Sequence, residues 1–214
     1  MFTLIFANGI LDPSPKVTAL LKKADLLIAA DGGANHCAGL GIIPDILLGD
    51  LDSIHREILE SYQGEKTVIN RHPPRKDATD LELALDLAME KGSRTVWLIG
   101  ALGGRWDMSL SNIMLAAGEK YKNLEIFLLG QDCSMQILHP GKTHTVIGSP
   151  EQKVSILPLK GDAYGVTLSG FEYPLKDYTI PFGSTIGVSN IMQKDQGFVQ
   201  LSKGILLCVL FKEK

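Results

Sequence analysis

The sequence predicts an α/β domain built on a mainly parallel sheet, followed by a β-rich domain. Short apolar runs alternate with helical periodicity as far as Gln131, after which that periodicity stops and turn residues multiply. The aspartates of the first part also gather at the ends of its apolar runs. Strand and helix in alternation imply a parallel sheet covered on both faces, because each crossover helix buries a face of the sheet.

In chain order, residues 2–7, 26–30, 46–48, 67–69, 95–99 and 125–129 have the continuous apolar character of buried strands, with helices between them. The clearest helix occupies residues 80–91, where Leu81, Ala84, Leu85 and Ala88 recur at helical spacing and share a face. Thr79 and Glu82 stand at capping-box spacing at its start, and Gly92 supplies its stop. A second helix is expected to begin near Ser109, a capping residue, and to carry Ile113, Leu115 and Ala116 toward Tyr121.

Beyond Gln131, turns are marked by His139-Pro140-Gly141, Gly148-Ser149-Pro150, Lys160-Gly161-Asp162 and Pro181-Phe182-Gly183-Ser184. Residues 154–157, 166–168, 185–188, 198–201 and 205–211 between them fit strands of a sandwich or small barrel. The domains are therefore expected at 1–131 and 132–214, with no internal repeat or low-complexity tract.

With 45% apolar and 21% charged residues over 214 positions, the chain can bury enough surface to offset its ordering entropy. Its 24 acidic and 21 basic residues give a net charge of −3, and no run of Lys or Arg forms a phosphate-tracking stripe, which excludes a dedicated nucleic-acid binder. The longest apolar stretch, residues 205–211, falls far short of the roughly 20 residues that span a bilayer. Residues 1–7 lack the basic start and cleavage pattern of a secretory signal, so the expected compartment is the cytoplasm. Cys37, Cys133 and Cys208 are too scattered for a zinc site and read as buried thiols.

Asp31, Asp50, Asp52, Asp77, Asp80 and Asp107 each fall near the C-terminal end of an expected strand or in the loop after it, the edge where open α/β sheets bind ligands. In Gly49-Asp50-Leu51-Asp52-Ser53, an extended chain would aim Asp50 and Asp52 to the same side, toward one cation. Clustered carboxylates repel unless a cation or proton intervenes. Oxygen-only ligands suit Mg²⁺, which keeps waters and bridges to phosphates, so a metal-bound polyphosphate is the expected partner. A lone Asp-x-Asp is commonly a solvated turn, and the force of this one comes from its neighbours.

Asp77-Ala78-Thr79-Asp80 stands where a helix begins and its dipole favours carboxylates, although capping alone would account for Thr79 and one of the two aspartates. Arg75 and Lys76 bring positive charge to the same loop. In Gly100-Ala101-Leu102-Gly103-Gly104-Arg105-Trp106-Asp107, the glycines admit a ligand close to the backbone and the following helix offers N–H groups to an anion. Arg105 can neutralise developing phosphate charge, and Asp107 can orient or deprotonate a hydroxyl. Asp31-Gly32-Gly33-Ala34-Asn35 is a second turn of this kind, and for either loop alone a tight strand-to-helix connection is a sufficient account.

Gly141-Lys142-Thr143 imitates the end of a phosphate-binding P-loop, but Gln136 stands where its first glycine belongs. The patterns G-x-G-x-x-G after the first strand, G-x-S-x-G and H-E-x-x-H are absent, which removes the main support for dinucleotide, α/β-hydrolase and zinc-protease chemistry.

Taken in order, Asp31-Gly32-Gly33-Ala34-Asn35, Gly49-Asp50-Leu51-Asp52-Ser53, Asp77-Ala78-Thr79-Asp80 and Gly104-Arg105-Trp106-Asp107 with Asn112-Ile113 resemble the signature of the thiamine pyrophosphokinase family. The stretch from Gly165 to Leu175, the pair Ser189-Asn190 and the run Gly204 to Leu207 resemble that family's thiamine-side segments and closing strand.

The resemblance implies a Rossmann-like nucleotide domain over 1–131, a thiamine-binding β-sandwich over 132–214, and a homodimer with thiamine bound where subunits meet. It implies transfer of the diphosphoryl group of Mg-ATP to the thiamine hydroxyl, leaving AMP. Carried over by position, Asp50, Asp52 and Asp80 would hold the metal and Asp31, Gly32, Asp77 and Thr79 the nucleotide. Arg105, Asp107 and Asp80 would stand at the reacting end, with Tyr173, Ser189 and Asn190 at the vitamin. An aromatic wall suits a cationic thiazolium. One departure is Met108, where many members carry His after the aspartate. A metal-dependent nucleotide-sugar transferase and a non-catalytic thiamine or nucleotide sensor are the alternatives.

Overall fold

The computed structural model describes every residue except Glu65, Lys76, Glu213 and Lys214, so Lys76 of the expected basic pair lies outside the described residues. The chain divides into two compact units, Met1–Gln131 and Asp132–Lys214.

In the first unit six strands, β1 (Phe2–Phe6), β2 (Leu26–Ala30), β3 (Ile46–Gly49), β4 (Val68–Arg71), β5 (Thr95–Ile99) and β6 (Glu125–Leu129), run parallel in the order β4-β3-β2-β1-β5-β6. The helices are α1 (Pro15–Leu21), α2 (Gly33–Gly39), α3 (Arg56–Gln63), α4 (Asp80–Glu90) and α5 (Trp106–Ala116).

Leu4, Phe6, Ala29 and Leu47 from the sheet pack with Val17, Ala34, Cys37 and Tyr62 from α1, α2 and α3. Outside that cluster, α4 packs on β1, β2 and β3 through Leu81, Ala84, Leu85 and Ala88. Both faces are thus covered, which is why the strands read as unbroken apolar runs. From β1 the chain winds outward to β4, then returns to the other side of β1 as β5, leaving a switch point between their C-terminal ends.

Thr79 caps α4 by accepting the Glu82 N–H at 3.2 Å. Helix α5, however, begins at Trp106, ahead of the position expected from Ser109. Ser109 lies buried inside it, accepting the Gly103 N–H at 2.9 Å and donating to the Arg105 carbonyl at 3.1 Å. Its hydroxyl fastens the preceding glycine loop to the helix instead of capping the helix end.

The second unit holds β7 (Cys133–Leu138), β8 (His144–Ile147), β9 (Lys153–Pro158), β10 (Ala163–Ser169), β11 (Leu175–Ile180), β12 (Asn190–Ile191), β13 (Gln196–Gln200) and β14 (Leu206–Phe211). Antiparallel neighbours run β12-β9-β14-β7 on one side and β11-β10-β13-β8 on the other. Leu138, Ile156, Val166, Phe171, Val199 and Leu206 from both groups share one core.

Residues 185–188, expected as a strand, form turns. Gly187 at φ 93° and Ser189 at φ 57° reverse the chain there, so the alternating apolar residues Ile186 and Val188 stay partly exposed.

Candidate active site

The ladder between β1 and β5 continues past the strand ends. Ala7 N–H meets the Ile99 carbonyl at 2.8 Å, Gly9 N–H meets Gly100 at 2.6 Å, and Ile10 N–H meets Leu102 at 3.1 Å. A cavity of about 580 Å³ opens at this switch point, lined by Asn8, Asp31, Asp50, Thr79, Asp80, Gly103, Arg105 and Met108 among others.

Its acidic wall is built from three strand ends or the loops that follow them. Asp31 follows β2, Asp50 follows β3, and Asp80 opens α4; one carboxylate oxygen from each lies within 4.8 Å of the other two. Asp31 holds φ 46°, an uncommon conformation for a residue with a side chain, and its Oδ1 is sealed from solvent with no hydrogen-bond donor among the described residues. Gly49 makes this approach possible, since a Cβ there would stand 3.0 Å from both Asp31 Cβ and Asp80 Oδ1.

Three converging carboxylates, one of them with an orphaned oxygen, fit a hard divalent cation by donor chemistry. The set differs from the sequence expectation, for Asp31 joins it and Asp52 stands outside. The expectation assumed an extended chain, but Leu51 takes φ 66° and buries its side chain, turning Asp52 outward. Asp52 accepts the Ser53 hydroxyl at 3.0 Å and donates its N–H to Asp50 Oδ1 at 3.3 Å.

The opposite wall is the loop from Gly100 into α5, tied down by Asn112 Nδ2 on the Ala101 carbonyl at 2.7 Å and by Ser109 on Gly103. Arg105 and Met108 line the cavity at the N-terminus of α5, where the helix dipole favours an anion. Arg105 Nε donates to Asp107 Oδ1 at 3.1 Å, and its second nitrogen grips Oδ2. The paired guanidinium, helped by the Met108 N–H, holds the Asp107 carboxyl below the usual range. Asp107, Asp77 and Arg75 do not reach the cavity wall, and Gly32 lies buried beneath Asn8.

Sequence reasoning missed Asn8, which lines the cavity just past β1, and the roles of Asn35 and Ser109. An Asn-Gly pair directly after an apolar strand was the available signal for Asn8.

In the second unit Tyr173 is 60% exposed, so its ring is available to a ligand and is not core. Asn190 is buried, and its amide is given to backbone: Oδ1 accepts the Tyr173 and Ile191 N–H groups at 3.0 and 2.8 Å, and Nδ2 donates to the Tyr173 carbonyl at 2.8 Å. It therefore fixes Tyr173 in place. Ser189 donates its N–H to Ser155 Oγ at 3.1 Å.

Fold and cavity define a class, an open α/β unit whose switch point can hold a cation beside a polyphosphate, with a β unit in the same chain. The family model for the thiamin pyrophosphokinase catalytic domain matches residues 17–128, and that for the thiamin pyrophosphokinase vitamin B1 binding domain matches residues 143–206. Thiamine pyrophosphokinase of Bacillus subtilis is 32% identical over 96% of both chains, and thiamine pyrophosphokinase 1 of Arabidopsis thaliana is 28% identical over 93% of this chain and 83% of its own. The crystal structure of the Bacillus subtilis protein superposes with a TM-score of 0.86 at 31% identity over the whole of both chains. That of the Geobacillus thermodenitrificans thiamin pyrophosphokinase gives 0.85 at 29% identity over 100% of this chain and 99% of its own. The chain belongs to the thiamin pyrophosphokinase family, whose members form thiamine diphosphate from thiamine with ATP as donor. Membership sets aside the nucleotide-sugar transferase alternative.

Proposed function

We propose that this chain transfers the diphosphoryl group of ATP to thiamine, with the nucleotide in the switch-point cavity. The observation that carries the placement is the convergence of one carboxylate oxygen each from Asp31, Asp50 and Asp80 on the cavity that Arg105 also lines, with Asp31 Oδ1 buried there without a hydrogen-bond donor among the described residues. Asp31, Asp50 and Asp80 would hold Mg²⁺, with Asp52 supporting Asp50 through its N–H. Bound there, the ion would supply positive charge to the β- and γ-phosphates.

In the reaction the thiamine hydroxyl oxygen bonds to the β-phosphorus, the bond from that phosphorus to the bridging α–β oxygen breaks, and AMP leaves. The hydroxyl proton passes to solvent. Arg105 offsets charge on the transferring group, and positioning does most of the work, as in phosphoryl transfer generally. Asp107, held ionised by Arg105, is a weak base and acts by orienting the hydroxyl. Tyr173, held by Asn190, and Ser189 are the vitamin's contacts.

The switch between β1 and β5 is our ground for the Rossmann-like label, and the shared core of the second unit for the sandwich label. A homodimer with the vitamin bound where subunits meet suits the exposed Tyr173, Phe182 and Val188. The cytoplasm suits three cysteines without disulfides. No helix among the described residues is long and apolar enough to cross a membrane.

Incubation with ATP, MgCl₂ and thiamine should yield AMP and thiamine diphosphate in equal amounts by chromatography, and neither in EDTA. Binding of both substrates without AMP would make the chain a sensor, and ADP in place of AMP would mean single phosphoryl transfer.

A further inference from the structure

Asn35 lies in the short helix α2 and uses both ends of its amide on the loop after β3. Its Nδ2 donates to the Ser53 carbonyl at 2.9 Å, and its Oδ1 accepts the His55 N–H at 3.1 Å. Between β3 and these bonds runs Asp50-Leu51-Asp52, with Leu51 at φ 66°. Such a conformation is strained for a residue with a side chain and persists only where the surroundings impose it. The local bond from Asp52 N–H to Asp50 is long, at 3.3 Å. Asn35 itself belongs to the turn that begins at Asp31, where the Ala34 N–H meets the Asp31 carbonyl at 3.0 Å. One side chain therefore ties the segment carrying Asp31 to the loop carrying Asp50.

We propose that Asn35 is a positioning residue for the divalent cation, its amide locking the Asp50 loop against the Asp31 turn so that both carboxylates reach one ion. This rests on the cation reading of the Asp31, Asp50 and Asp80 cluster. Ser53 and His55 are exposed, so water can satisfy the backbone groups that Asn35 would release. Loss of the amide should accordingly loosen the ligand set while leaving the fold nearly as stable. Partners beyond the ligands commonly change metal affinity by about 10–100-fold.

The test uses Mn²⁺ as probe, titrated into the full chain and followed by electron paramagnetic resonance, with thermal melts alongside. Asn35→Ala and the size-matched Asn35→Leu are expected to bind Mn²⁺ on the order of tenfold more weakly, with melting points near the wild type and an unchanged KM for thiamine. Because Asn35 acts through Asp50, adding Asn35→Ala to Asp50→Asn should weaken binding little further. Wild-type affinity in both single variants, full additivity in the double variant, or failure of both variants to fold would each overturn the proposal. A wild-type chain that takes up no Mn²⁺ overturns the cation reading beneath it as well.

Discussion

At the scale of single residues, Arg105 and Asp107 form the pair whose chemistry is most directly measurable. Both are largely exposed, with side chains 73% and 65% accessible, so the pair adds little to stability and its interest is electrostatic. The guanidinium favours the charged carboxylate, which keeps Asp107 ionised to lower pH than an isolated aspartate, whose value is about 3.9. The sign follows. The favourable interaction is fully present above the ordinary aspartate value and fades as pH falls through the depressed one. Arg105→Met should therefore move the Asp107 midpoint upward, toward the ordinary value, in a ¹³C NMR titration of labelled aspartate. A midpoint that stays put would mean the two side chains do not pair in solution, and Asp107 would then be a stronger base than the mechanism assigns.

At the scale of elements, the end of β3 decides whether the acidic wall can close. Gly49 sits at φ 138° with no room for a Cβ between Asp31 and Asp80. Gly49→Ala should cost about 1–3 kcal/mol in urea unfolding and weaken Mn²⁺ binding at the same time, since the methyl group would push Asp31 and Asp80, two of the proposed ligands, apart. Unchanged unfolding with unchanged binding would show that the strand end is looser than the geometry implies. The same strand shows where the sequence was legible. Its apolar residues, buried on both faces, marked β3, and the alternating helices marked the parallel sheet, because burial leaves a compositional trace. The position of Asp52 was not legible, because one left-handed residue, Leu51, breaks the two-residue repeat on which the expectation stood. Ser109 misled for a related reason: a hydroxyl that suits a helix cap also suits a buried bond back to Arg105, and only packing chooses between them. The turn at 185–188 has strand-like side chains, but the left-handed backbone at Gly187 overrides them.

At the scale of the whole molecule, ligand binding must appear as stability. Each unit has its own core, and the switch-point cavity lies wholly within Met1–Gln131. A ligand that binds only the folded state at a hundred times its Kd adds about 2.7 kcal/mol. For a chain of this size each 1 kcal/mol raises Tm by roughly 2–4 °C, so Mg-ATP should raise it by about 5–10 °C. ATP in EDTA should do far less. Asp31, Asp50 and Asp80 would then face a triphosphate without the ion that screens them, and like charges at such distances disfavour the complex. A scan comparing ATP with Mg²⁺ against ATP with EDTA separates these effects of anion and cation. Equal shifts in both would mean that the nucleotide is held by Arg105 and the start of α5 alone, leaving the carboxylates no part in binding it.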